Sequence, residues 1–146
     1  MELKTKTQFT RIMKKQYLFA VVSVIVFLAL AAAHKPQPKE WPVPDKYLKM
    51  ANPVKSDAEA LSSGKELWVK NCQSCHGKSG KGDGPKASQL KTQPEDLGSA
   101  VIQKQPDGAL FYKTSEGRED MPSFKKKITD QDDIWTIVNY IRTFKK

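Results

Sequence analysis

The chain has 146 residues, 28% of them charged, a formal net charge of +9 and two cysteines, a length that favours one domain plus extensions. Setting aside a basic leader (Lys4, Lys6, Arg11, Lys14 and Lys15 against Glu2) lowers the surplus to five, spread along the chain. No zinc-finger pattern and no basic motif interleaved with aromatics is present, which excludes nucleic acid and favours an acidic protein or a membrane surface as partner.

The leader "MELKTKTQFTRIMKKQ" runs into "YLFAVVSVIVFLALAAA", Tyr17 to Ala33. A basic start, an apolar run and an Ala-x-Ala ending describe a secretory signal cut after Ala33. The run is also at the short limit for a membrane-spanning helix, which needs about 20 residues. Residues 1–33 are therefore a signal peptide or an N-terminal membrane anchor, with 17–33 in the membrane in the second case. Both export the rest, because the positive leader stays inside the cell. A run apolar on every face argues against a buried core helix.

Residues 34–55 carry Pro36, Pro38, Pro42, Pro44 and Pro53, which fix φ and donate no backbone hydrogen bond, so this is a linker or a wrap over the surface. A free tether of twenty such residues would reach about 60 Å. Trp41 and Tyr47 argue that part of it docks instead. The remaining segment, 56–146, reads as one all-α domain. In "SDAEALSSGKELWVKNC", Leu61, Leu67 and Trp68 have roughly helical spacing, and Ser63 with Glu66 forms a capping-box pattern that predicts a firm helix from Gly64. A glycine-rich loop follows from Gly77 to Pro85. Asp107 is the predicted N-cap of "GALFYKTSEG", with Gly117 as its left-handed stop. In "TDQDDIWTIVNYIRTFKK", Ile134, Ile137, Val138 and Ile141 form an apolar stripe. Asp130, Asp132 and Asp133 at its start and Arg142, Lys145 and Lys146 at its end complement the helix dipole. No convincing strand and no internal repeat is visible.

Chemistry concentrates in "NCQSCHG", where Cys72 and Cys75 stand two residues apart with His76 directly behind. A structural zinc site needs about four ligands, and the only other histidine is His34, at the signal junction. A redox dithiol belongs at a helix N-terminus in a βαβ setting, whereas this pair ends an amphipathic helix. A disulfide across two residues would be strained and would leave His76 unexplained. Cys-x-x-Cys-His is the signature of covalent haem c attachment. Thiols at this spacing reach both vinyl groups of one porphyrin edge, and the next residue aims its imidazole at the iron. The sixth position suits a thioether, which raises the potential. Met121, in "REDMPSF" ahead of the stiffening Pro122, is the only methionine downstream of the motif; its alternative role is gap-filling in the core. Met50 is a poor rival.

Taken together, "GKELWVKNCQSCHG", "GKGDGP", "DGALFYKTSEG" leading into "MPSF", and "WTIVNYIRTF" resemble a class I c-type cytochrome of the small bacterial monohaem kind, from about Ser56 to Phe144. The resemblance implies a cytochrome c fold with three main helices around one covalently attached haem, and His76 and Met121 as axial ligands. It implies that Gly64 and Trp68 cross the last helix near Val138 and Ile141, and that the Pro85 carbonyl accepts the Nδ1 proton of His76. Trp135 and Tyr140 touch either the haem or only their helix neighbours. The expected function is single-electron transfer between redox proteins on the periplasmic side, with no catalysis and no small-molecule substrate. Two alternatives stand beside it: a catalytic or gas-binding haem protein of peroxidase type, and a haem c subunit of a membrane oxidase or dehydrogenase complex. Lys78, Lys81, Lys86, Lys125, Lys126 and Lys127 flank the two ligand loops, diluted by Asp83, Glu119 and Asp120. They are either a docking rim for an acidic partner or a solvated face.

Overall fold

A computed structural model describes residues 13, 16–23 and 40–146. It divides into two units, Met1–Trp41 and Pro42–Lys146. In the first, residues 16–23 are helical; the remainder of the apolar run, the cut after Ala33 and His34 lie outside the described residues. Among those described, no helix is long and apolar enough to cross a membrane.

The second unit contains α1 (Asp45–Leu48), α2 (Ala58–Asn71), α3 (Gln73–His76), a 3-10 turn (Ala87–Gln89), α4 (Ala100–Gln103), α5 (Asp107–Glu116) and α6 (Gln131–Arg142). Its only bridge among the described residues is between Arg118 and Met121. α2 begins one and a half turns before the expected start. Asp57 caps it by accepting the Ala60 N–H at 2.9 Å, which puts Ser63 and Glu66 inside the helix rather than at its end. Asp107 is likewise not a cap. Pro106 holds that position with extended backbone, which leaves the Asp107 carboxylate to accept from Arg142 Nε at 2.8 Å. The same guanidinium donates to the Gln103 and Gln105 carbonyls and so ties the ends of α4 and α6 together. Gly117 stops α5 at φ 67° as expected, a conformation open mainly to glycine.

α2 and α6 form the main crossing. A methyl group at Gly64 would lie 2.5 Å from the Thr136 carbonyl oxygen and 3.0 Å from Tyr140 Cβ. The close approach therefore falls on Thr136 and Tyr140 rather than Val138 and Ile141. Trp68, one turn beyond Gly64, stacks beside Tyr140 and Phe144 (ring centroids 6.1 and 5.0 Å). The apolar stripe of α6 is fully buried, Ile137 and Val138 at 0% exposure.

A second face of α6, carrying Trp135 and Asn139, is covered by the proline-rich segment. Asn139 accepts from Asn52 Nδ2 at 2.9 Å and donates to the Val54 carbonyl at 3.1 Å, while Asn52 Nδ2 also reaches the Trp135 carbonyl. Tyr47 of α1 lies against Tyr112 and Phe111 of α5 (4.7 and 6.3 Å). Residues 42–55 are thus a docked strap within this unit, its polar groups paired with helix groups that would otherwise be buried alone. Neither α1 nor α4 had been expected, since a single turn of four residues has no periodicity to read.

Candidate haem site

α3 is the turn that carries Cys75 and His76, and it follows α2 almost without a break. Cys72, the joint between them, accepts the N–H groups of Cys75 and His76 at 3.1 and 2.9 Å. The loop after it folds straight back: Gly82 N–H donates to the His76 carbonyl (2.9 Å), Gly84 to Cys75 (3.2 Å) and Lys86 to Ser74 (2.8 Å). These three bonds fix the motif's backbone independently of its side chains. Trp68 holds it from the other side. Its indole N–H donates to the Gly77 carbonyl at 3.2 Å, and its ring lies 5.8 Å from the His76 ring at 49°.

Both thiols are free, Cys72 buried and Cys75 half-buried. Burial pushes the Cys72 thiol up to about 12, against a smaller opposing effect of the Lys127 charge. A redox dithiol needs the reverse, a thiol whose pKa is lowered toward neutrality. Burial also pushes His76 below its ordinary value, so its imidazole is neutral at pH 7, the form that binds a metal. Its Nδ1 is buried with no hydrogen-bond partner. The expected bond to the Pro85 carbonyl is therefore not formed. Pro85 instead sits exposed in a turn closed by Ala87 N–H on the Gly84 carbonyl.

Met121 lies in the tight hairpin Arg118–Met121, whose end residues exchange both backbone hydrogen bonds at 2.8 and 2.9 Å. It is half-buried and packs on the same apolar cluster that contains Trp68 and Cys72. Cys72 belongs to this cluster, Met121 packs on it, and His76 meets it through the Trp68 ring, although Met121 stands 45 residues beyond His76 in the chain. Trp135 and Tyr140 have protein partners, Trp135 stacking on Phe111 at 4.2 Å and Tyr140 meeting Phe144 edge-on at 5.2 Å. Of the lysines, Lys125 pairs with Glu116 at 2.6 Å, and Lys126 and Lys127 are exposed.

Among the described residues no three His, Cys, Asp or Glu are arranged to enclose a metal ion by themselves. A porphyrin brings four nitrogens of its own and asks the protein only for anchors and axial donors. Two free thiols, a half-buried neutral imidazole and a thioether packed on the same apolar cluster as Cys72 fit that requirement. Sequence reasoning missed Thr92 and Gln93, which between them contact the loop after His76 and the Met121 hairpin. They belong to no motif, and their partners are too distant in the chain for a local signal.

The family described as "Cytochrome C oxidase, cbb3-type, subunit III" matches residues 59–141. The chain is 31% identical over 90 residues to cytochrome c6 of Cladophora glomerata, covering 58% of this chain and 89% of that protein. Among solved structures, the c-type cytochrome KustC0563 is similar at 29% identity and a TM-score of 0.50, over 57% of this chain and 98% of that one. A chain of the Kuenenia stuttgartiensis reducing HAO-like protein complex shares the fold at 22% identity and a TM-score of 0.57. That likeness covers 79% of this chain and only 53% of that one.

Proposed function

The chain belongs to the cbb3-type cytochrome c oxidase subunit III family and is a monohaem c-type cytochrome, and on that premise we propose that it passes single electrons between redox proteins on the periplasmic side of the cytoplasmic membrane. Bound haem c supplies an iron that accepts and returns one electron. Cys72 and Cys75 would anchor the group as thioethers from one helical turn. His76 would hold the iron from that turn and Met121 from the hairpin. With both His76 and Met121 held to the iron, no position would be left open for a substrate. Trp68 and the apolar cluster around Cys72 would form the dry wall of the haem pocket.

The observation that supports this reading is the pairing of two free thiols with a half-buried, neutral imidazole on one turn against Trp68. The test is denaturing electrophoresis stained for haem. The colour should travel with the polypeptide, weaken in Cys75→Ala and vanish from folded protein in His76→Ala. Complete extraction of the haem by acid–acetone would overturn the reading. Rapid cyanide or carbon monoxide binding by the unmutated protein would favour the catalytic or gas-binding alternative.

The family description favours one further reading, that the domain serves as the haem c subunit of a membrane oxidase. Co-purification with an integral-membrane partner from detergent extract distinguishes it from a freely diffusing carrier. N-terminal sequencing of native material decides between a start at His34 and a retained 17–33 anchor.

A further inference from the structure

The segment 92–97 touches both loops that carry the proposed axial ligands. Toward His76, Leu97 donates its N–H to the Gly80 carbonyl at 2.8 Å, and the Gln93 side-chain amide donates to the Gly82 carbonyl. Gly82 is the residue whose own N–H binds the His76 carbonyl. Toward Met121, Thr92 donates twice. Its backbone N–H reaches Asp120 Oδ2 at 3.0 Å, and its hydroxyl reaches Glu119 Oε2 at 3.2 Å.

The hairpin that Thr92 grips is conformationally disfavoured. Glu119, at its tip, has φ 55°, and it is the one described residue other than glycine with a positive φ. A side chain crowds the backbone in that region, so the conformation persists only when surrounding contacts hold it. Both residues of the tip, Glu119 and Asp120, are bonded to Thr92. Asp120 is followed directly by Met121, whose backbone closes the hairpin.

Resting on Met121 as the sixth ligand, we propose that Thr92 is a positioning residue for that methionine. It clamps the Glu119–Asp120 tip and, through Gln93 and Leu97, references the tip to the loop behind His76. The spacing between the two axial-ligand loops is then set by a short crosspiece as well as by the core. Thr92 does not touch the iron; it acts by resisting the hairpin opening that would carry Met121 away.

The test compares Thr92→Val, which keeps the backbone donor and the side-chain size but loses the hydroxyl, with Thr92→Ser, which keeps the hydroxyl. In ferric holoprotein, cyanide enters when Met121 swings off, so its association rate reads ligand release. Hydrogen exchange at the Arg118 and Met121 amides reads hairpin opening without reference to iron. Loss of one hydrogen bond to a charged group, weakened by exposure, predicts about fivefold faster cyanide association and amide exchange in Thr92→Val. Thr92→Ser should match the unmutated protein, and the guanidinium midpoint should move no more than for an ordinary surface substitution. Exchange and cyanide rates within twofold of the unmutated protein, or rates that rise only in step with a fall in global stability, would overturn the proposal. If the unmutated ferric protein lacks the near-infrared sulfur-to-iron band, the ligand assignment fails on its own, and the exchange data still decide whether Thr92 clamps the hairpin.

Discussion

A methyl group added at Gly64 would press on the Thr136 carbonyl at 2.5 Å, so Gly64→Ala must push α2 and α6 apart along their main crossing. Overpacking of this kind costs about 1–3 kcal/mol, and the denaturant midpoint of holoprotein should fall accordingly. Ser63→Ala, next to it but inside the helix, should be nearly silent, whereas Asp57→Ala should lose about 1 kcal/mol as a true cap. Met121→Ala should abolish the sulfur-to-iron band, lower the potential and admit cyanide readily. Residues with a chemical signature are the ones the sequence singles out, Cys72, Cys75 and His76 by their spacing and Met121 as the sole downstream thioether, and their roles toward a haem belong to the proposal above. Ser63 and Asp107 were misread because a capping pattern is short enough to recur inside a helix or beside a better cap. Only the geometry of Asp57 and Pro106 decides between them.

At the level of elements, α6 was legible because its buried stripe recurs at helical period and its charges fall at the correct ends. Its second buried face was not. Asn139 looks like a surface residue in sequence, and what covers it is a segment more than 80 positions away. The strap therefore carries a prediction of its own. Asn139→Ala would remove the half-buried hydrogen bonds that the Asn52 amide and the Val54 carbonyl make to it, at about 0.5–1.5 kcal/mol each. Residues 42–55 should then become the first site of proteolytic nicking, read by mass spectrometry of a limited digest. A variant that resists protease like the unmutated protein would show that Tyr47 alone seats the strap on α5.

For the whole molecule, the charge distribution bears on encounter with partners. Lys126 and Lys127 are exposed beside the Met121 hairpin, and the Lys127 charge is felt at the Cys72 thiol, whereas Lys125 is already engaged by Glu116. Charge reversal at Lys126 and Lys127 should therefore slow second-order electron transfer to an acidic partner at low salt and leave the optical spectrum unchanged. Added salt should slow the unmutated protein, since charges are screened beyond about 8 Å at physiological ionic strength. A rate indifferent to both would mean that docking is apolar. The strap, finally, dictates an order in time. Asn52 and Asn139 are 87 positions apart, with Cys72 to His76 between them. A chain exported behind its leader in N-to-C order would deliver the strap early and its seat on α6 last, and closing a loop of that length is slow compared with forming a helix. Throughout that interval the two thiols would remain reachable on an open chain, until the elements that share the apolar cluster of Cys72, α6 among them, close around it. On that schedule attachment of the haem would come first and closure of the fold second.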